Sequence, residues 1–302
     1  MHEADVDAQA RAAQWLEAGR LMGVPFAVRP GGAPRAEPVA TPDARGSAPA
    51  APATRPGESA APAAAPAPAR GTLPLDASAA VPSPASPASP GPHADPAAAL
   101  TALADRYANE VAANFSDHPF TNVVFGEGNP RASLMVIGEA PGADEDRQGR
   151  PFVGRAGDKL DDMIRAMKQE RSEAYIANVL KIRPPDNRTP LVHEIDRCGP
   201  FLREQIRIIQ PRVILALGGP ATKWLLQTDV GITRLRGAWG EYVDPDHPSV
   251  RIPVLPTFHP AYLLRTYTLE VREKMWHDLQ QVMGRLAEVQ AGPGAGAEAA
   301  KS

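Results

Sequence analysis

SLMVIGEAPGADEDRQGRPFVGRAGDKLDDMIRAMK, residues 133–168, decides how this chain is organised. Its first part, SLMVIGE (133–139), is a short apolar run of strand length. Its last part, AGDKLDDMIRAMK (156–168), sets Leu160, Ile164 and Met167 on one helical face. A strand-to-helix connection usually takes about two to six residues. Here GEAPGADEDRQGRPFVG (138–154) fills that place, long, glycine-rich and acidic.

The same alternation continues downstream. AYIANVLKI (174–182) reads as a strand and HEIDRCGPFLREQIRII (193–209) as a helix with an internal Gly-Pro. RVILALG (212–218) is a strand, and PATKWLLQ (220–227) a helix with proline at its favoured first position. IPVLPTFH (252–259) is a last strand, followed by a short turn and the helix EVREKMWHDLQQVMGRL (270–286). Apolar strands separated by amphipathic helices predict a three-layer α/β/α fold around a central, mostly parallel sheet. In such sheets ligands bind beyond the carboxyl ends of the strands. That rule points to four loops, 139–154, 178–190, 218–220 and 259–265.

Composition divides the 302 residues into segments. Half of the 34 prolines fall between Pro30 and Pro96, among alanine, glycine and serine. Residues 25–96 hold too few large apolar groups to offset ordering entropy, so a disordered linker is expected there. Residues 290–302 are read the same way, which leaves a domain at 97–289, long enough to close its own core. Residues 1–24 carry Trp15, Leu16 and Leu21 at helical spacing, either as an arm that docks a protein partner or as a helix that lies on the domain or frays. The single cysteine, Cys198, excludes a disulfide framework and argues for a reducing compartment. The N-terminus lacks a secretory pattern, and no stretch approaches the ~20 apolar residues of a membrane span. A cytoplasmic monomer without membrane contact is expected. The net charge of −3 carries no sign of nucleic acid, so any basic surface must be local.

The candidate loops hold the unusual residues. The first lacks GxxxxGK[ST] and GxGxxG, and its Glu139, Asp144, Glu145 and Asp146 would repel a phosphate. Such carboxylates suit holding a water or facing positive charge that develops during a reaction. The plainer alternative, solvent-facing caps, fits Asp144 better than Glu139, which abuts the strand end. In NVLKIRPPDNRTP, Asn178 ends a strand, and its amide offers a donor beside an acceptor, matching the O4/N3 edge of uracil. Cytosine presents the reversed pattern. A strand-end asparagine capping a turn is the competing reading. Lys181, Arg183 and Arg188 form a basic edge suited to DNA phosphates, or else a solvated loop. In TFHPAYLLR, His259 can donate to an oxygen gaining negative charge. Leu263 and Leu264, beside Arg265, suit a wedge that fills the gap left by an extruded base, or else they are core residues of the next helix.

Together with VVFGEGNP (123–130), GRPFVGRAG (149–157), CGPFL (198–202) and ITRLRGAW (232–239), these loops resemble the bacterial and archaeal type 4 uracil-DNA glycosylases. Six motifs match in order across residues 118–284. The linker and the N-terminal helix lie outside the match. The resemblance implies that uracil is flipped from DNA, stacked on Phe152, read by Asn178 at O4/N3 and by His259 at O2, and enclosed by the backbone of Ala140. Glu139 and Glu145 would surround the sugar and the attacking water, with the choice between them open. The implied reaction is hydrolysis of the N-glycosidic bond at the start of base excision repair. The competing readings are a non-catalytic DNA-binding repair or replication module and a glycosylase for another deaminated base such as hypoxanthine.

The family typically holds a 4Fe-4S cluster on four cysteines. Here Cys198 aligns with the last of them, Ile182 stands where another belongs, and Val111 and Asn114 fall about where the N-terminal pair would be. No cluster, and no other cofactor or metal, is expected.

Overall fold

The structure is a computed structural model that describes residues 93–111, 115 and 119–291. The N-terminal helix, nearly all of the linker, Asn114 and the tail beyond 291 lie outside the described residues. The first described helix, α1 (Pro96–Glu110), starts on an Asp95 side chain that accepts from Ala98 N at 3.0 Å, with proline at the first helical position.

The centre is a six-stranded sheet in the order β1-β3-β2-β4-β6-β5. Four strands are parallel: β2 (Leu134–Gly138), β3 (Tyr175–Asn178), β4 (Val213–Leu217) and β6 (Arg251–Thr257). The edges β1 (Glu127–Gly128) and β5 (Gly240–Val243) are antiparallel. The connection β2-β3 runs through α2 (Ala143–Gln148) and α3 (Arg155–Ala166), and β3-β4 through α4 (Val192–Ile209). After β4 come α5 (Gly219–Leu226) and α6 (Ile232–Leu235); after β6 come α7 (Pro260–Arg265) and α8 (Leu269–Ala291).

Alternation along each buried strand separates two cores. Met135, Ile137, Ala177 and Ile214 pack with Tyr107 of α1, Leu202 and Ile206 of α4 and Leu225 of α5. Leu134, Val136, Ile176 and Leu215 pack on the opposite face with Leu160 and Ile164 of α3 and Met275 and Leu279 of α8. Each fully buried side chain of this size contributes about 1.5–3 kcal/mol, so helices are held on both faces and the three layers form. The chain leaving β2 turns toward β3 and the chain leaving β4 turns toward β6, so the connections diverge at the neighbouring carboxyl ends of β2 and β4. A cleft opens there.

Three sequence expectations change. The strand expected over 174–182 stops at Asn178, although Val179 N and Leu180 N still donate to the Gly138 and Glu139 carbonyls at 3.0 Å. The turn after His259 is a helix, α7, entered through Pro260. The long acidic connection contains the short helix α2, closed by Gly149 at φ 69°. Neither edge strand was foreseen, because two and four residues are too short to display a period. Among the described residues, no helix is long and apolar enough to cross a membrane.

Candidate functional site

The site lies at the cleft, where four strand ends stand side by side. Gly138 and Asn178 are register partners, and so are Leu217 and Thr257. Gly138 is glycine for a steric reason. A Cβ there would lie 2.4 Å from Asn178 Oδ1 and 2.5 Å from Phe152 Cζ. Two side chains therefore converge on one point of bare backbone.

Phe152 is buried and held at φ 52°, a left-handed conformation that a bulky residue adopts only when its surroundings impose it. Two features impose it. Glu145 Oε1 accepts from Val153 N at 2.9 Å and Gly154 N at 3.0 Å, gripping the chain just after Phe152. Gly157 leaves room for the Phe152 carbonyl, which a Cβ would meet at 2.0 Å. The Phe152 ring then lies 5.6 Å from the His259 ring at 30°, which sets an aromatic face beside the imidazole.

The acids of this loop have divergent uses. Glu145 Oε2 also accepts from Gly142 N at 3.1 Å, so both of its oxygens are tied to main chain. Asp146 is buried and accepts from Thr121 N at 2.7 Å and Asn122 N at 3.1 Å, joining α2 to the preceding segment. Asp144 pairs with Arg147 at 2.7 Å. Glu139 differs, being partly buried at the end of β2 with its carboxyl pKa raised by burial. Ala140 follows it, also partly buried.

Asn178 is buried and its Oδ1 has no hydrogen-bond partner. Orphaned acceptors of this kind are uncommon inside proteins, and this oxygen is free to accept a hydrogen bond from a bound molecule or a water. His259 Nδ1 accepts from Ala261 N at 3.2 Å, so the ring proton sits on Nε2. Burial, and then the charge of Arg265, push its pKa down to about 4, with Glu145 opposing. At neutral pH the imidazole is a neutral donor. Gly218, at φ 86°, lets the end of β4 pass beneath it, since a Cβ would come within 3.1 Å of His259 Cβ. The backbone below is braced by Asp278, whose Oδ2 accepts from Thr257 Oγ1 at 2.6 Å and from Arg236 Nε at 3.0 Å. The ITRLRGAW stretch thus locks the strand end that carries His259.

Several residues expected at a DNA surface lie elsewhere. Lys181 is fully buried and its amine points inward, so it cannot meet a phosphate; the cause is a set of internal acceptors that charge patterning does not reveal. Leu263 is buried against the α3–α8 core, which leaves the partly exposed Leu264 as the wedge candidate. Arg188 forms a two-pronged pair with buried Glu194, at 2.9 and 2.7 Å. Arg183, bonded to Asn187 Oδ1 at 2.8 Å, is partly exposed, and Arg265 is exposed. Sequence reasoning missed the bracing roles of Asp146, Asp278 and Gly138, for which the pattern carried no local signal.

Cys198 is buried in the α1–α4 core beside Tyr107 Oη at 3.3 Å, near fully buried Ile182 and with Val111 in the same cluster. One thiol among apolar groups does not fit a cluster that needs four thiolates.

Residues 125–280 match the family described as the uracil DNA glycosylase superfamily. The chain is similar to the type-4 uracil-DNA glycosylase of Thermotoga maritima, with 44% identity over 162 residues covering 53% of this chain and 81% of that one. It is similar to the type-4 uracil-DNA glycosylase of Sulfurisphaera tokodaii at 42% over 167 residues, 54% and 74% of the two chains. That of Archaeoglobus fulgidus is 37% identical over 163 residues, 54% and 81%.

Proposed function

The chain belongs to the uracil DNA glycosylase superfamily, and from that premise we propose that it excises uracil from DNA by hydrolysing the N-glycosidic bond. The observation that carries the reading is the buried, unpartnered Oδ1 of Asn178 beside the Phe152 ring. A flipped uracil stacked on Phe152 offers N3–H to that oxygen and O4 to the amide N–H groups. Cytosine offers the opposite polarity and would leave both buried groups unpaired, which discriminates strongly.

Bond breaking leaves positive charge on the sugar and sends the bonding electron pair to the departing uracil. His259, neutral with its proton on Nε2, donates toward O2 and stabilises that negative charge. Glu139 is the acid that faces the sugar and orients water for attack at C1′, while Glu145 is a positioning residue that shapes the Phe152 platform. Water supplies hydroxide to C1′, and its proton returns to the uracil anion, giving free base and an abasic strand. Arg183 and Arg265 contact phosphate, and Leu264 fills the gap left by the base. The lone reduced thiol supports a cytoplasmic setting.

The direct test treats labelled oligonucleotides carrying U·G, U·A, single-stranded U or hypoxanthine with the protein and then alkali. Cleavage at uracil is expected, with little at hypoxanthine; intact uracil strands throughout would defeat the reading. Asn178→Ala is expected to lower excision about 100-fold, the scale of losing one preorganised polar contact.

No iron–sulfur cluster is held by this chain in our reading, because a single buried cysteine cannot replace four thiolates. The purified protein is expected to lack stoichiometric iron and visible absorption while retaining excision. A coloured, iron-loaded preparation would contradict this.

A further inference from the structure

Lys181 is the least expected member of the interior. It is fully buried, and the groups that meet its amine are neutral. Nζ donates to the Asn178 carbonyl oxygen at 2.8 Å and to Gln205 Oε1, and it lies 5.4 Å from the Phe125 ring centroid. Gln205, itself buried on α4, is held by donating Nε2 to the Phe125 carbonyl at 3.0 Å and to Tyr175 Oη at 3.3 Å. The Lys181 main chain is fixed as well, its carbonyl accepting from Val124 N at 2.7 Å and its N–H reaching the Cys198 thiol.

Burying an ammonium without a carboxylate is costly, and an apolar side chain of equal length would fill the same space without desolvation. Burial accordingly pushes the Lys181 pKa down to about 7. Even the neutral amine keeps two N–H donors for its two oxygen acceptors. What this arrangement accomplishes is local. Asn178 is the last residue of β3, and the lysine ties down the carbonyl of this residue, whose side-chain oxygen is unpartnered.

We propose that Lys181 and Gln205 form a buried clamp that positions Asn178, so that its amide meets the base at a fixed height and angle. The clamp rests on the reading of Asn178 as the uracil-recognising residue. Lys181 touches neither base nor sugar and acts through Asn178 alone.

The test compares Lys181→Met, Asn178→Ala and the double variant by unfolding temperature and single-turnover excision of uracil. Lys181→Met removes the donors while keeping the length. Its unfolding temperature is expected to stay level or rise, whereas excision falls about 10-fold or more, the loss expected of one hydrogen bond from a polar or charged donor. In the Asn178→Ala background the same change is expected to cost less than about 2-fold, because the residue it serves is already gone. Gln205→Leu gives a second measure, with a smaller loss of the same pattern. Unchanged excision in Lys181→Met, or its full loss repeated in the Asn178→Ala background, would overturn the clamp. An inert wild-type protein would instead strike at the uracil reading itself. In that case the side-chain amide signals of Asn178 in ¹⁵N-labelled protein decide the clamp: they are expected to shift or broaden in Lys181→Met, and unaltered signals would refute it.

Discussion

Gly138→Ala is expected to abolish uracil excision, by about 1,000-fold or more, in a protein that still folds. The added methyl would stand 2.4 Å from Asn178 Oδ1 and 2.5 Å from Phe152 Cζ, well inside van der Waals contact. Both groups must move, and they are the two that hold the base in the proposed mechanism. Losing their joint placement removes about 4 kcal/mol of transition-state stabilisation, which is about three decades in rate. The fold itself is expected to lose about 1–3 kcal/mol, the ordinary cost of overpacking. Single-turnover excision beside thermal unfolding checks this. Activity within tenfold of the parent would mean that Asn178 and Phe152 do not act as a pair.

Glu139→Gln is expected to slow the chemical step by about 100- to 1,000-fold with little change in DNA affinity. Glutamine preserves shape but carries no charge to oppose the cationic sugar and accepts no proton from water. The pH profile is the sharper measurement. Burial raises the Glu139 pKa, so the carboxylate is lost at a higher pH than for an ordinary glutamate. Wild-type excision is therefore expected to fall as pH drops through that raised value, and the Gln variant is expected to lose this limb. His259 contributes no competing limb near neutrality, since its pKa lies at about 4. An acid limb that persists unchanged in Glu139→Gln would assign the titration, and the water, to another group. A full loss in Glu145→Gln would not by itself reassign the role, because Glu145 braces the chain on which Phe152 sits.

The proposal that no iron–sulfur cluster is held rests on an apolar patch around Cys198. Tyr107 packs edge-on against Phe201 at 5.1 Å and tilted against Phe125 at 5.9 Å, with Ile182 and Cys198 in the same cluster. Dispersion and apolar burial hold this patch together.

What the sequence determined alone is the alternation of apolar strands with amphipathic helices, the parallel centre of the sheet, and the four loops at the strand ends. These follow from period and spacing, which are local properties and survive in a string of letters. Asn178 and His259 stand out in the string because each closes an apolar strand-like run, whereas the part given to Phe152 came from the resemblance alone. The tertiary structure decided which of the charged and apolar residues in those loops face inward. Asp146 turns to main-chain N–H groups 24 and 25 residues away, Lys181 turns to a glutamine 24 residues away, and Leu263 turns to the α3–α8 core. A polar side chain is buried only where distant partners satisfy it, and those partners meet it only after the layers have packed.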